Sequence, residues 1–270
     1  MKQRITTAVM MIVVALPILV YGGLPFVIFG GLLTLAATHE MITMREKTVS
    51  TPLEIKLLTK IATLVVVFHS FDFSTFSIND HAAINLELVA ILLVTLLLAV
   101  VIRKSFTSQD AAYYLFTIFY VGATFHSMLY VRMLGLDLFL FMILVVALTD
   151  SFAYFIGRKF GKRKLAPLIS PKKTLEGSIG GTLVGTLTGV IFGILTNLMP
   201  SLFMLVFISF IVSIVGQVGD LVASSMKREY QIKDYGKLFP GHGGVLDRLD
   251  SQLFASLALY LVINLLSVVI

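Results

Sequence analysis

Apolar stretches about as long as a bilayer is thick recur from Ile5 to Ile270, with no long hydrophilic region between them. A helix needs about 20 residues to cross the hydrocarbon. A membrane barrel would instead show strands of roughly ten residues alternating in polarity, and that alternation is not the dominant pattern. The chain is therefore expected to be an all-α, polytopic integral membrane protein. Charged residues make up only 13% of it and its mean hydropathy is +0.96. A soluble domain would carry about a quarter charged.

On that ruler nine transmembrane helices fall near 5–20, 25–44, 58–77, 84–102, 110–131, 137–157, 176–197, 201–225 and 248–269. The third is the least regular, with Lys60 in its first turn and His69 and Asp72 inside it. Met1 to Gly23 has the outline of a signal peptide but no convincing cleavage site follows, so a retained first helix is expected. The basic residues test the layout. When each is assigned to the nearest span end, 20 of the 21 fall on one side and only Arg132 on the other. The positive-inside rule then puts the N-terminus and both long polar loops in the cytoplasm, with the chain in the cell (inner) membrane. The net charge of +6 is spread over short loops. Orientation and anionic headgroups explain it better than nucleic acid, which is not expected as a partner. There is no cysteine, so neither a disulfide framework nor a thiolate metal site can form.

The reading is one membrane domain over 1–270. Residues 1–136 are mainly scaffold helices, and 137–270 is the working part with cytoplasmic loops 158–175 and 226–247. Polar chemistry is concentrated in that second part. Ser224 to Asp250 alone holds five of the 21 basic residues, four of the 15 acids and four glycines. Cations, carboxylates and a glycine turn at a membrane surface suit a phosphate-rich ligand.

Asp247 and Asp250 are three apart at the start of the last span, so they face the same way on a helix. Asp220 lies inside the eighth span, where a carboxylate costs a few kcal/mol unless paired or hydrated. One reading is a divalent-metal site on Asp220 and Asp247, since Mg²⁺ takes one or two carboxylates and completes its shell with water and phosphate. The plainer reading is that Asp247 and Asp250 favour a helix N-terminus and that Asp220 pairs with a lysine. Ser224 and Lys227 follow Asp220 at offsets of four and seven on one helical stripe. Lys227 and Arg228 serve equally as headgroup anchors. Gly241-His242-Gly243-Gly244 can bring backbone N–H groups close to an anion. An isolated loop histidine such as His242 is more often structural.

The other loop runs from Thr149-Asp150-Ser151 through Tyr154 and Gly157-Arg158 to Ser170-Pro171-Lys172-Lys173-Thr174-Leu175-Glu176-Gly177. Ser170 and Pro171 read as an N-cap and a first helical residue. Lys172 and Lys173 then occupy a first turn, where cations oppose the helix dipole unless an anion is bound. Positive-inside bias accounts for Lys159, Lys162, Arg163 and Lys164, but less well for that lysine pair. His39-Glu40, His126 and Arg132 are read as structural. There is no Walker-type loop, nucleophile elbow or dinucleotide fingerprint.

Taken together, Ser224-x-Met226-Lys227-Arg228, Lys233-Asp234-x-Gly236 and Pro240-x-His242-Gly243-Gly244-x-x-Asp247-Arg248-x-Asp250 resemble the signature of the phosphatidate cytidylyltransferases, also called CDP-diacylglycerol synthases. The 149–177 segment is similar to the same family, so specific likeness covers Thr149 to Ile270. The first 130 residues or so are similar only in hydropathy and in their basic start. The resemblance implies transfer of CMP from CTP to phosphatidic acid with Mg²⁺, giving CDP-diacylglycerol and pyrophosphate at the membrane lipid surface. It implies metal-holding roles for Asp220 and Asp247, with Asp250 as a third acid at that site. Lys227, Arg228, Lys172 and Lys173 go to the phosphates of CTP or lipid, with Ser224, Asp150 and Glu176 in the same substrate-binding set. His242, Gly243 and Gly244 go to loop geometry near phosphate. A CTP-dependent lipid kinase and, more remotely, an organic-anion transporter are the rival readings. Oligomeric state is not fixed by the residues, and a homo-oligomer is left open.

Single cysteines placed near Lys162 and Lys237 should be shielded from an impermeant thiol reagent added outside sealed cells, and cysteines near Asp80 and Asn197 should react. Labelling at 237 from outside would overturn the nine-span layout.

Overall fold

The computed structural model describes residues 2–72, 77–78 and 86–269. Among them run nine helices: α1 (Lys2–Tyr21), α2 (Gly23–Arg45), α3 (Leu53–Phe68), α4 (Leu86–Ile102), α5 (Ser108–Leu134), α6 (Leu136–Phe160), α7 (Leu175–Leu195), α8 (Leu202–Glu229) and α9 (Leu246–Val269). Each overlaps one expected span. Five of them, α2, α5, α6, α7 and α8, are long and apolar enough to cross a bilayer. The molecule is an all-α membrane protein. Asp80 and the first residues of the expected fourth span lie outside the described residues.

Two short antiparallel hairpins interrupt the helices. In one, β1 (Phe71–Asp72) pairs with β2 (Ser77–Ile78); in the other, β3 (Lys164–Ala166) pairs with β4 (Ser170–Thr174). The first hairpin corrects the third span. Helix α3 starts at Leu53, has 16 residues and ends at Phe68, a length of about 24 Å against a hydrocarbon core of about 30 Å. The polar residues that made this span irregular mark its end: His69 is the C-cap, its Nδ1 2.8 Å from the Val66 carbonyl, and Asp72 lies in β1.

The chain packs as two compact units, one drawn from Met1–Leu129 and Tyr235–Val245, the other from Tyr130–Asp234 and Leu246–Ile270. In the first, α2, α3, α4 and α5 enclose a core that includes Ile42, Ile55, Val66, Leu96, Tyr114 and Ile118. Buried threonines hide their hydroxyls by donating to the carbonyl four residues back, as Thr34, Thr38, Thr59 and Thr63 do at 2.7–2.8 Å. This satisfies a polar group without a partner helix. Thr107 and Asp110 form a reciprocal capping pair at the start of α5, and Asp110 also binds Arg45 at the end of α2.

The second unit is built on α7, which has two unlike faces. Gly177, Gly181, Gly185, Gly189 and Gly193 recur every fourth residue and are buried. Ile179, Leu183, Leu187, Ile191 and Ile194 stay exposed on another face, as lipid contact requires. Small residues let helix backbones approach where lipid removes any hydrophobic drive to associate. Here a Cβ on Gly181 would lie 2.5 Å from the Thr149 carbonyl oxygen and 2.8 Å from Ala153 Cβ on α6.

The second hairpin corrects the reading of Ser170-Pro171 as a helix start. Residues 170–174 are strand β4, and α7 is capped by Thr174, whose hydroxyl accepts from the Gly177 amide at 3.2 Å. A residue before proline is driven to extended conformations, and that keeps Ser170 in the strand. Lys172 and Lys173 therefore never enter a helical first turn. The acid Glu176 holds that turn instead, with the polarity the dipole favours.

Gly181→Ala should lower the melting temperature in detergent, because overpacking against a backbone oxygen costs about 1–3 kcal/mol. Leu183→Ala on the exposed face should leave it nearly unchanged.

Candidate active site

Along the last turns of α6, Asp150, Ala153, Tyr154, Gly157 and Arg158 recur at three- and four-residue steps and so share one face. That face lines a cavity of about 580 Å³ in the second unit, within the usual range for a small-molecule site. The β3–β4 hairpin contributes Lys164, Lys172 and Lys173, α7 contributes Ser178, and α8 contributes Gln217 and Asp220. Asp150, Tyr154, Ser178, Gln217 and Asp220 thus converge with four cations at one end of three membrane helices. The glycines explain how the hairpin comes so close. A Cβ on Gly157 would lie 2.7 Å from the Thr174 hydroxyl, and one on Gly177 would lie 2.5 Å from the Ala153 carbonyl oxygen.

Two lysine–aspartate pairs organise the charges. Lys173 Nζ is 2.7 Å from Asp220 Oδ2, and Ser224 Oγ donates to the other oxygen of the same carboxylate at 3.2 Å. Lys227 Nζ donates to Asp247 Oδ1 at 2.8 Å, with the aspartate side chain only 2% exposed and the lysine 10%. Asp150 lies within electrostatic range of Lys173 and Asp220, with the Ser251 side chain nearby. Asp250 feels Asp220, Lys227 and Asp150, and its Oδ1 accepts the Ser251 amide at 2.8 Å. Asp150, Asp220, Asp247, Asp250, Lys173 and Lys227 therefore belong to one connected set. The helical stripe Asp220, Ser224, Lys227 is present as expected. Asp220 does pair with a lysine, and it does so at the wall of a cavity.

The other expected residues divide. Lys172 lines the cavity. Arg228 extends outward to the carbonyls of Ile169 at 3.3 Å and Ile232 at 3.1 Å. The Glu176 carboxylate accepts the backbone amides of Lys162 at 2.9 Å and Arg163 at 3.2 Å, tying the hairpin to the start of α7. His242, Gly243 and Gly244 belong to the first unit. There the amides of His242 and Gly243 both donate to the Phe239 carbonyl, at 2.8 and 3.1 Å, and Gly241 and Gly243 take φ of 78° and 89°. Those two positions require glycine for conformational reasons. The buried Nδ1 of His242 has no hydrogen-bond partner among the described residues.

Gln217 escaped the sequence reading. Its Nε2 donates to Thr182 Oγ1 at 2.8 Å, and its amide lines the cavity three residues before Asp220. An amide at that depth of an apolar helix, in step with an acid, was the available signal. Among the described residues no three histidine or acid side chains stand at the spacing of a shared metal ion. The donors that are present are carboxylate and hydroxyl oxygens. Those suit a hard cation, and Mg²⁺ needs only one or two protein carboxylates.

The family model described as "Cytidylyltransferase family" matches residues 2–266. The chain belongs to that family. The match also takes in the first 130 residues, where motifs gave no specific likeness. Among its relatives, the phosphatidate cytidylyltransferase of Bacillus subtilis is 38% identical over 271 residues, covering 99% of each chain. That of Staphylococcus saprophyticus is 37% identical over 255 residues, covering 94% of this chain and 95% of the relative. The Staphylococcus aureus enzyme of the same name is 35% identical over 261 residues, with the same coverage.

Lys227→Met should strip Asp247 of its buried partner and cost about 3–5 kcal/mol, read as a lower melting temperature. Adding Asp247→Leu should recover most of that loss, because a well-packed apolar pair often replaces a buried ion pair without penalty.

Proposed function

We propose that this chain is a phosphatidate cytidylyltransferase, transferring CMP from CTP to phosphatidic acid and releasing CDP-diacylglycerol and pyrophosphate. The observation that carries this reading is the cavity in which Arg158, Lys164, Lys172 and Lys173 face Asp150 and Asp220. Cations in excess suit a triphosphate, and acids beside them suit a substrate that arrives with a divalent cation. The chemistry needs no covalent nucleophile, since the lipid phosphate oxygen attacks the α-phosphorus and the P–O bond to pyrophosphate breaks. What the protein must supply is alignment and positive charge around the phosphorus and the leaving group.

In this reading Lys173 leaves its partner acid to meet phosphate, and Lys172 and Arg158 hold the polyanion. Lys227 keeps Asp247 oriented and adds charge. Arg228 and Ser224 remain in the phosphate-binding set, and Glu176 serves it by fixing the hairpin that carries the lysines. His242, Gly243 and Gly244 serve loop geometry near phosphate. Mg²⁺ held by Asp220 and Asp247, with Asp250 as a third acid, would neutralise phosphate charge. Residues 137–270 carry the reaction, within a single membrane domain whose N-terminus and polar loops face the cytoplasm of the cell membrane.

CTP labelled at the α-phosphate should transfer label to phosphatidate, and γ-labelled CTP should not. The reverse would make the protein a lipid kinase, and no transfer from either would remove nucleotide chemistry. In the same assay Lys173→Ala should lower kcat/KM about ten- to a hundredfold, the value of one charged hydrogen bond. A change of less than twofold would make Lys173 an anchor.

A further inference from the structure

Glu40 lies on α2, far in sequence from every motif, and it is buried with 6% of its surface accessible. A carboxylate so placed is costly unless hydrogen bonds replace its water. Its Oε1 accepts the backbone amide of Val245 at 2.7 Å, a contact spanning 205 residues within the first unit. Its carboxylate also explains two motif glycines that turn geometry leaves unexplained. Gly241 and Gly243 have positive φ, but Gly236 and Gly244 do not. A Cβ on Gly236 would come 2.7 Å from Glu40 Oε1, and one on Gly244 would overlap both carboxylate oxygens. Two of the four glycines thus make the turn, and two make room for Glu40.

Val245 is the residue from which the chain enters α9, with Leu246 first and Asp247 second in the helix. In a capping box, the acid at the third helical position reaches back to that entry amide. Here the third position is Arg248 and valine offers no side-chain acceptor, so an acid from α2 receives the amide instead. We propose that Glu40 is a positioning residue. It fixes the 236–245 loop and thereby the entry to α9 that carries Asp247, for the CMP transfer proposed above, on which its catalytic consequence rests.

The experiment is a double-mutant cycle on the purified full-length protein in detergent, with Glu40→Ala, Gly244→Ala and the pair, and Glu40→Gln as the conservative variant. Each is read two ways: by kcat and KM with α-labelled CTP and phosphatidate, and by hydrogen exchange of a peptide spanning 236–246. Glu40→Ala should lower kcat by at least about tenfold, with KM for CTP changed less than threefold, and should speed exchange in that peptide. Glu40→Gln keeps an acceptor oxygen and should recover most of kcat. Gly244→Ala should be damaging in the parent but add little once Glu40 is alanine, because the atoms its Cβ meets are gone. Additive losses, or unchanged exchange in Glu40→Ala, would overturn the proposal. If Glu40→Ala does not purify as a monodisperse species, Gly244→Ala decides it: normal exchange in that variant sinks the idea. If the parent transfers no label, the cytidylyltransferase reading fails, while the exchange and coupling results still decide the positioning role.

Discussion

The second unit depends on the approach of two helix backbones. Three of the five buried glycines on α7, Gly177, Gly181 and Gly185, let its axis come so near α6 that carbonyl oxygens of Ala153, Thr149 and Val145 form part of the boundary. That approach carries Thr174 against Gly157 and holds the base of the β3–β4 hairpin over the end of α6. From there Lys173 reaches an acid on α8. Larger residues at those positions would separate the layers and move the lysine away from its aspartate. The stripe of glycines is thus the mechanical origin of the charge arrangement.

The charges follow an economical rule. Every acid in the connected set that is deeply placed has a lysine or a donor beside it: Asp220 has Lys173 and Ser224, Asp247 has Lys227, and Asp250 has an amide. None of these pairs needs to be strongly stabilising, since desolvation offsets much of the attraction between buried ions. Their value lies in specificity. An unpaired acid at such depth would destabilise the helix that carries it, so the pairs select the arrangement in which α8, α9 and the hairpin meet correctly.

The number, order and approximate ends of the helices were legible because long apolar runs and the one-sided basic residues both report the bilayer. The acids and lysines of the second unit were legible because each is conspicuous against an apolar background. What was not legible depended on contacts rather than on local pattern. Ser170-Pro171 offered a plausible helix start, yet Thr174 four residues on supplied the cap, and only the strand pairing decides between them. The misplaced first-turn lysines were in fact a warning that the helix began later. Glu40 sat at the end of an ordinary span, and its meaning depends on an amide 205 residues away. The shortness of α3 was hinted at by His69 and Asp72, whose polarity marks a chain leaving the apolar layer.

The two lysine–aspartate pairs differ in their access to solvent, and this separates them in ionic response. Lys173 and Asp220 keep 24% and 30% of their side-chain surface exposed, against 10% and 2% for Lys227 and Asp247. Mobile ions screen exposed charges over a distance of about 8 Å at physiological ionic strength and reach buried ones far less. Rising salt therefore loosens the contact at the cavity wall and weakens the pull of Arg158, Lys164 and Lys172 on any incoming anion, while the pair at the foot of α9 holds. One protein thus contains one ion pair that responds to the salt of its medium and another that responds far less.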